Sequence, residues 1–142
     1  MAASAARGER VGVRLRPAPN DRLEIRTDPL KGRGIFARTP IAAGTLIEAA
    51  PVIVVPAPEC AALDATILHD YYFHWDGDPD GEGSGAVALG LLALCNHSRR
   101  PKARVHRNYA HETLDLVALA PIAAGEEITI DYNCPLWFNP ED

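Results

Sequence analysis

From Arg22 to Arg26 (RLEIR) apolar and charged residues alternate, the period of a strand with one buried face. The following DPLKGRG crowds one proline and two glycines into seven residues and predicts a tight loop, after which IFA at 35–37 begins a second strand. TLIEAAPVIVV and EEITIDY read as further strands. Each is launched by the same five residues, since Pro40-Ile41-Ala42-Ala43-Gly44 returns as Pro121-Ile122-Ala123-Ala124-Gly125. Proline sets φ where such a turn begins, and glycine supplies φ > 0 where it ends. Two copies are too few for a solenoid and indicate repeated turn chemistry within one β fold. Ala103–His106 and Thr113–Leu119 predict a strand pair around 108–112. The spacing of Leu63, Ile67 and Tyr71, with a proline near the start, predicts one helix over Pro58–Asp70. The apolar run Ala86–Cys95 fits strand or helix equally.

The 142 residues suit a single domain, with 1–20 a frayed basic lead-in, 21–138 the folded unit and 139–142 a tail. Twelve prolines and eleven glycines disfavour long helices and favour a mostly β fold of short strands. The net charge of −5 argues against direct nucleic-acid binding. That charge is uneven: residues 41–98 hold no Lys or Arg and eight Asp or Glu, an acidic stretch suited to a basic partner. No apolar run is long enough to span a membrane, and the N-terminus lacks a signal-peptide core. Cys60, Cys95 and Cys134 are widely spaced and odd in number, which suggests a reducing, cytoplasmic compartment.

Most candidate chemistry fails on spacing. Asp76-x-Asp78-x-Asp80-Gly81 opens like a calcium loop, but Val87 stands where the bidentate Glu is needed. Cys95 and His97 have no second close ligand pair, and His69/His74 and His106/His111 are wrongly spaced for one helical face, so no metal is expected. No Gly-x-Ser-x-Gly elbow occurs. Taken singly, Gly32-Arg33-Gly34 is a turn, Asn96-His97-Ser98 a polar bend and Glu126–Tyr132 a strand.

In order, these segments are more specific. GRGIFA at 32–37, DYYF at 70–73, NHS at 96–98 and GEEITIDY at 125–132 closely resemble the SET-domain protein lysine methyltransferases, over about residues 22–138. The short length and DYYF look most like the compact viral and bacterial members, which lack zinc modules. The resemblance implies several small antiparallel sheets in a β-clip-like fold, one short helix and a knot-like C-terminal threading, with NHS passing beside the segment that ends in Tyr132. It implies S-adenosylmethionine as cofactor. Gly32, Arg33 and Gly34 would lie at its methionine end, where glycine lets a ligand approach the main chain. Asn96 would meet its amino group and His97, through the backbone, its adenine. Trp137 and Phe138 would cover the adenine or the lysine channel. Tyr132 would be the catalytic tyrosine and Tyr71 a channel wall, aromatic rings suiting a cationic nitrogen.

The sequence departs from the family pattern at three positions. Lys102 replaces the Asn that follows Pro101, Arg99 stands where many members place a zinc-ligating Cys, and Val105 stands where some place a channel tyrosine. The function implied is methyl transfer to a lysine ε-amine of a protein with a basic segment, histone-like or ribosomal, by an enzyme that self-associates as the compact viral one does. A reading from another class is a non-catalytic β module that only binds a peptide or partner.

Overall fold

The computed structural model describes residues 21–76 and 83–132. The lead-in, the acidic loop tip, Trp137, Phe138 and the tail lie outside the described residues.

Among the described residues, eight strands form two antiparallel sheets. β1 (Leu23–Asp28), β2 (Gly32–Ala37) and β8 (Glu127–Ile128) make one, with β2 central. β4 (Phe73–Asp76), β5 (Ser84–Ala88), β3 (Leu46–Val55), β7 (Thr113–Ala118) and β6 (Ala103–Asn108) make the other, in that order. The fold is mostly β with one α-helix, α1 (Ala57–Asp64), as the sequence predicts. Ile35 and Ile128 from the small sheet meet Leu114 and Leu116 of β7, and Leu92, Ile122 and Ile130 complete a fully buried core. Each such side chain contributes roughly 1.5–3 kcal/mol relative to exposure.

The loop predicted at DPLKGRG is shorter than expected. Asp28 pairs with Gly32, leaving three residues between the strands. The Asp28 carboxylate accepts the Leu30 and Lys31 N–H groups at 2.7 and 3.1 Å, and Gly32 closes the turn at φ 81°. The glycine segment is therefore itself a strand.

The two repeated pentapeptides pair with each other. Ile41 and Ile122 exchange both backbone hydrogen bonds at 2.8 Å. Gly44 N–H donates to Ala118 O (2.8 Å) and, symmetrically, Gly125 N–H to Ala37 O (2.7 Å). Ala118 N–H donates to Thr45 O and Ala37 N–H to Glu126 O, both at 2.9 Å. The repeat is thus a local two-fold joint between the sheets. Its glycines sit at φ 82° and 88°.

Two expectations change. The helix predicted over 58–70 is broken: α1 stops at Asp64, and a separate 3-10 turn covers Ile67–Asp70. Thr66 divides them, its hydroxyl donating to Leu63 O (2.7 Å) and accepting from Leu68 N–H (3.1 Å). Neither piece buries a residue, so the spacing of Leu63, Ile67 and Tyr71 marks no core face. The final strand is also shorter than EEITIDY suggests, because after Ile128 the chain leaves β2 for other partners. The undecided run 86–95 supplies β5 and then a 3-10 turn, Leu91–Leu94.

A Cβ at φ near +88° costs roughly 1–2 kcal/mol where nothing repays it. Gly125→Ala should therefore lower urea-unfolding stability by about that amount, although nothing crowds the position. An unchanged midpoint would contradict the assigned left-handed turn.

Candidate active site

The chain crosses itself just before Tyr132. Asn96–Ser98 run parallel to the segment through Ile130, with Ile130 N–H donating to Asn96 O (3.0 Å) and Ser98 N–H to Ile130 O (2.9 Å). Parallel pairing of this kind turns the N–H and C=O of the middle residue the other way. His97 thus presents its own backbone donor and acceptor away from Ile130, and neither joins a backbone hydrogen bond among the described residues. Ala103 N–H donates to Thr129 O (3.0 Å), so strand β6 also clamps the crossing.

The crossing gathers most of the singled-out residues. Asn96 donates one amide hydrogen to Glu127 (2.7 Å) and one to the Arg33 carbonyl (3.2 Å), which leaves its Oδ1 to offer a ligand. Gly34 lies against this pair: a Cβ there would come within 2.6 Å of the Glu127 carboxylate and 2.8 Å of the Asn96 amide. Lys31 reaches the other Glu127 oxygen at 3.5 Å. The buried His97 ring accepts the Tyr132 N–H at Nδ1 (3.1 Å). A neutral ring that accepts there carries its hydrogen on Nε2, which is buried with no partner among the described residues. Tyr132 packs against His97 with centroids 5.1 Å apart, and its hydroxyl donates to Cys95 O (3.1 Å). The phenol therefore points inward.

Tyr71 is not brought to this cluster. It ends the 3-10 turn after α1, partly exposed, and no hydrogen bond or ring contact joins it to residues 96–132. Its neighbour Tyr72 donates to Asp64 (2.7 Å), which also accepts from His69 (2.9 Å). These bonds, His69's first, hold the Asp64 carboxyl below its usual range, while burial and Asp64 push the Tyr72 phenol up.

Three contributors are not among the site residues that the sequence singles out. Glu127 stands inside GEEITIDY, but only the fold shows that it grips Asn96. Glu48 of β3 accepts the Leu91 and Leu92 N–H groups at 2.9 and 2.8 Å. Lys102 holds the threaded loop by its backbone, donating to the Thr129 hydroxyl (3.3 Å), while its ammonium meets Glu126 at 3.2 Å. Among the described residues no group of three metal-ligating side chains converges.

Comparison with known proteins agrees with this arrangement. Residues 32–133 match the SET domain family. A Schizosaccharomyces pombe protein named histone-lysine N-methyltransferase, H3 lysine-37 specific, is 35% identical over 126 residues, covering 88% of this chain and 82% of its own. Two solved structures share the fold. One is from Plasmodium falciparum, 24% identical with TM-score 0.58, covering 80% of this chain and 99% of its own. The other is the Neurospora SET domain protein DIM-5, a histone lysine methyltransferase, 21% identical with TM-score 0.64, covering 84% of this chain and 55% of its own. The chain belongs to the SET domain family. Within that family it is a protein lysine methyltransferase.

Burial first, then the charges of Glu48 and Glu127, push the Cys95 thiol well above its usual range. Thiolate is the reactive form, so a raised pKa means slow alkylation. Iodoacetamide at pH 8.5 should label the partly exposed Cys60 and spare Cys95 until denaturant is added, read by peptide mass mapping. Equal labelling of both in the native state would contradict the buried placement.

Proposed function

We propose that the crossing binds S-adenosylmethionine and that Tyr132 is the catalytic residue of methyl transfer to a lysine on a basic, histone-like or ribosomal protein segment. The observation that carries this reading is the convergence of Gly34, Asn96, His97 and Tyr132, from three segments far apart in sequence, on one crossing.

The residues present fit such a cofactor. Gly34, lacking a Cβ, lets the Asn96 amide and the Glu127 carboxylate close on its main chain, and Asn96 keeps its carbonyl oxygen for an ammonium. The outward backbone pair of His97 matches the donor–acceptor edge of an adenine, and its buried Nε2 awaits an acceptor. When bound, S-adenosylmethionine supplies a methyl group on a sulfonium. The remaining work falls to the chain. Free lysine titrates near 10.4, whereas the attacking amine must be neutral. A neighbouring cation and apolar walls disfavour the ammonium, so the proton leaves to solvent before attack. The Tyr132 hydroxyl, held by its bond to Cys95 O, orients that amine. Positioning then supplies most of the rate.

A basic substrate is supported by the acidic 41–98 stretch and by the fission-yeast relative, whose name specifies a histone H3 lysine. The proposal includes Tyr71 as a wall of the lysine channel, Gly32 and Arg33 as cofactor contacts with Trp137 and Phe138 over the cofactor, and no direct nucleic-acid or membrane binding. It also includes self-association and a reducing, cytoplasmic setting.

With labelled S-adenosylmethionine and core histones, Tyr132→Phe should lower kcat by about a hundredfold. Calorimetry should show its cofactor affinity within about threefold of wild type. Full activity in the variant would remove Tyr132 from the mechanism.

A further inference from the structure

The Leu91–Leu94 turn leads straight into Cys95 and Asn96, so whatever fixes it also sets the carbonyl that receives the Tyr132 phenol. It cannot cap itself. Its N-cap is Gly90, which has no side chain to accept an N–H and makes no side-chain cap bond. Nor can a larger residue take that place, since a Cβ would come within 2.7 Å of the Ala50 methyl and 3.0 Å of the Glu48 carboxyl.

The cap arrives from another element. Glu48, 43 and 44 residues away, accepts one N–H on each carboxylate oxygen, from Leu91 (Oε2, 2.9 Å) and Leu92 (Oε1, 2.8 Å). Hydrogen bonds to an ionised acceptor are the stronger kind, and two on one carboxylate fix orientation as well as distance. The turn is thereby tied to β3, at the centre of the five-stranded sheet. Leu92 is fully buried, so the turn has no room to slide. Its far end closes with Cys95 N–H on Leu92 O (3.1 Å), and the next acceptor along the chain is Cys95 O, holding the Tyr132 hydroxyl.

We infer that Glu48 is a positioning residue for methyl transfer, its carboxylate setting the Leu91–Leu94 turn so that the Cys95 carbonyl holds the Tyr132 phenol in place. The inference rests on the proposed role of Tyr132. A carboxylate is needed because an amide in its place offers one acceptor and turns a donor toward the second N–H.

Glu48→Gln and Glu48→Leu test this in the full chain, with 13C-labelled tyrosine and the Tyr132 ring resonance assigned through Tyr132→Phe. Steady-state methylation, thermal melting and the resonance are measured together. Glu48→Gln should lower kcat about tenfold and Glu48→Leu more, with KM for the protein substrate within about threefold. The Tyr132 Cζ resonance should move in both variants. Should Glu48→Leu fail to fold, Glu48→Gln, which keeps size and one hydrogen bond, carries the test. A lowered melting temperature with kcat and the resonance unchanged would make Glu48 an ordinary structural cap and overturn the inference. A wild-type chain without methyl transfer would overturn the role of Tyr132 instead, and the resonance would still show whether Glu48 governs the phenol.

Discussion

Two backbone hydrogen bonds between Asn96–Ser98 and Ile130 are the constraint on which the site depends. They are ordinary in strength, each contributing on the order of 1 kcal/mol net. Their effect is geometric. They place residue 97 with its peptide groups outward, put residue 96 beside the glycine strand, and deliver residue 132 onto the imidazole of residue 97. Remove the crossing and the chemistry-bearing residues have no common location, since none of the three segments neighbours another in sequence.

The rest of the fold braces that crossing. The paired pentapeptides lock the entry to β3 against the entry to β8, and Glu48 and Glu127 follow soon after the two turns. Their carboxylates then seize the same short stretch from opposite ends, Glu48 at Leu91 and Leu92 and Glu127 at Asn96. Both negative charges lie near the fully buried Cys95. A carboxylate drawn partly out of water is costly unless its acceptors are filled by donors. Here the donors are the N–H groups of the turn and the Asn96 amide, so their satisfaction and the ordering of the site are one event.

Much of this was readable before any coordinates. Alternation located β1, because a strand with one buried face imposes a period of two, and the strand pair read at 103–106 and 113–119 is the β6–β7 hairpin. The motif order carried the family, and with it the threading. Periodicity misled at 58–70, where apolar spacing on a surface segment has no core to answer to and Thr66 interrupts the helix by its own hydrogen bonds. It also overextended the last strand, since pairing partners are a tertiary property: residues 127–130 pair first with β2 and then with Asn96–Ser98. Glu48 and Lys31 were invisible for the same reason. Nothing local in GTLIEAA or DPLKG says which distant N–H or carboxylate lies within reach. Tyr71 belongs to a recognisable motif and ends the surface turn after α1, with no hydrogen bond or ring contact to the crossing among the described residues.

The crossing forms in the chain by itself, and the outward face of residue 97 is the proposed contact for S-adenosylmethionine. Residue-resolved amide hydrogen exchange, with and without S-adenosylmethionine, reads both halves at once. The account requires Ser98 and Ile130 amides to be protected without ligand, and the His97 amide to be fast alone and slow when ligand is present. Ser98 and Ile130 exchanging at loop rates, or a His97 amide indifferent to saturating ligand, would contradict it.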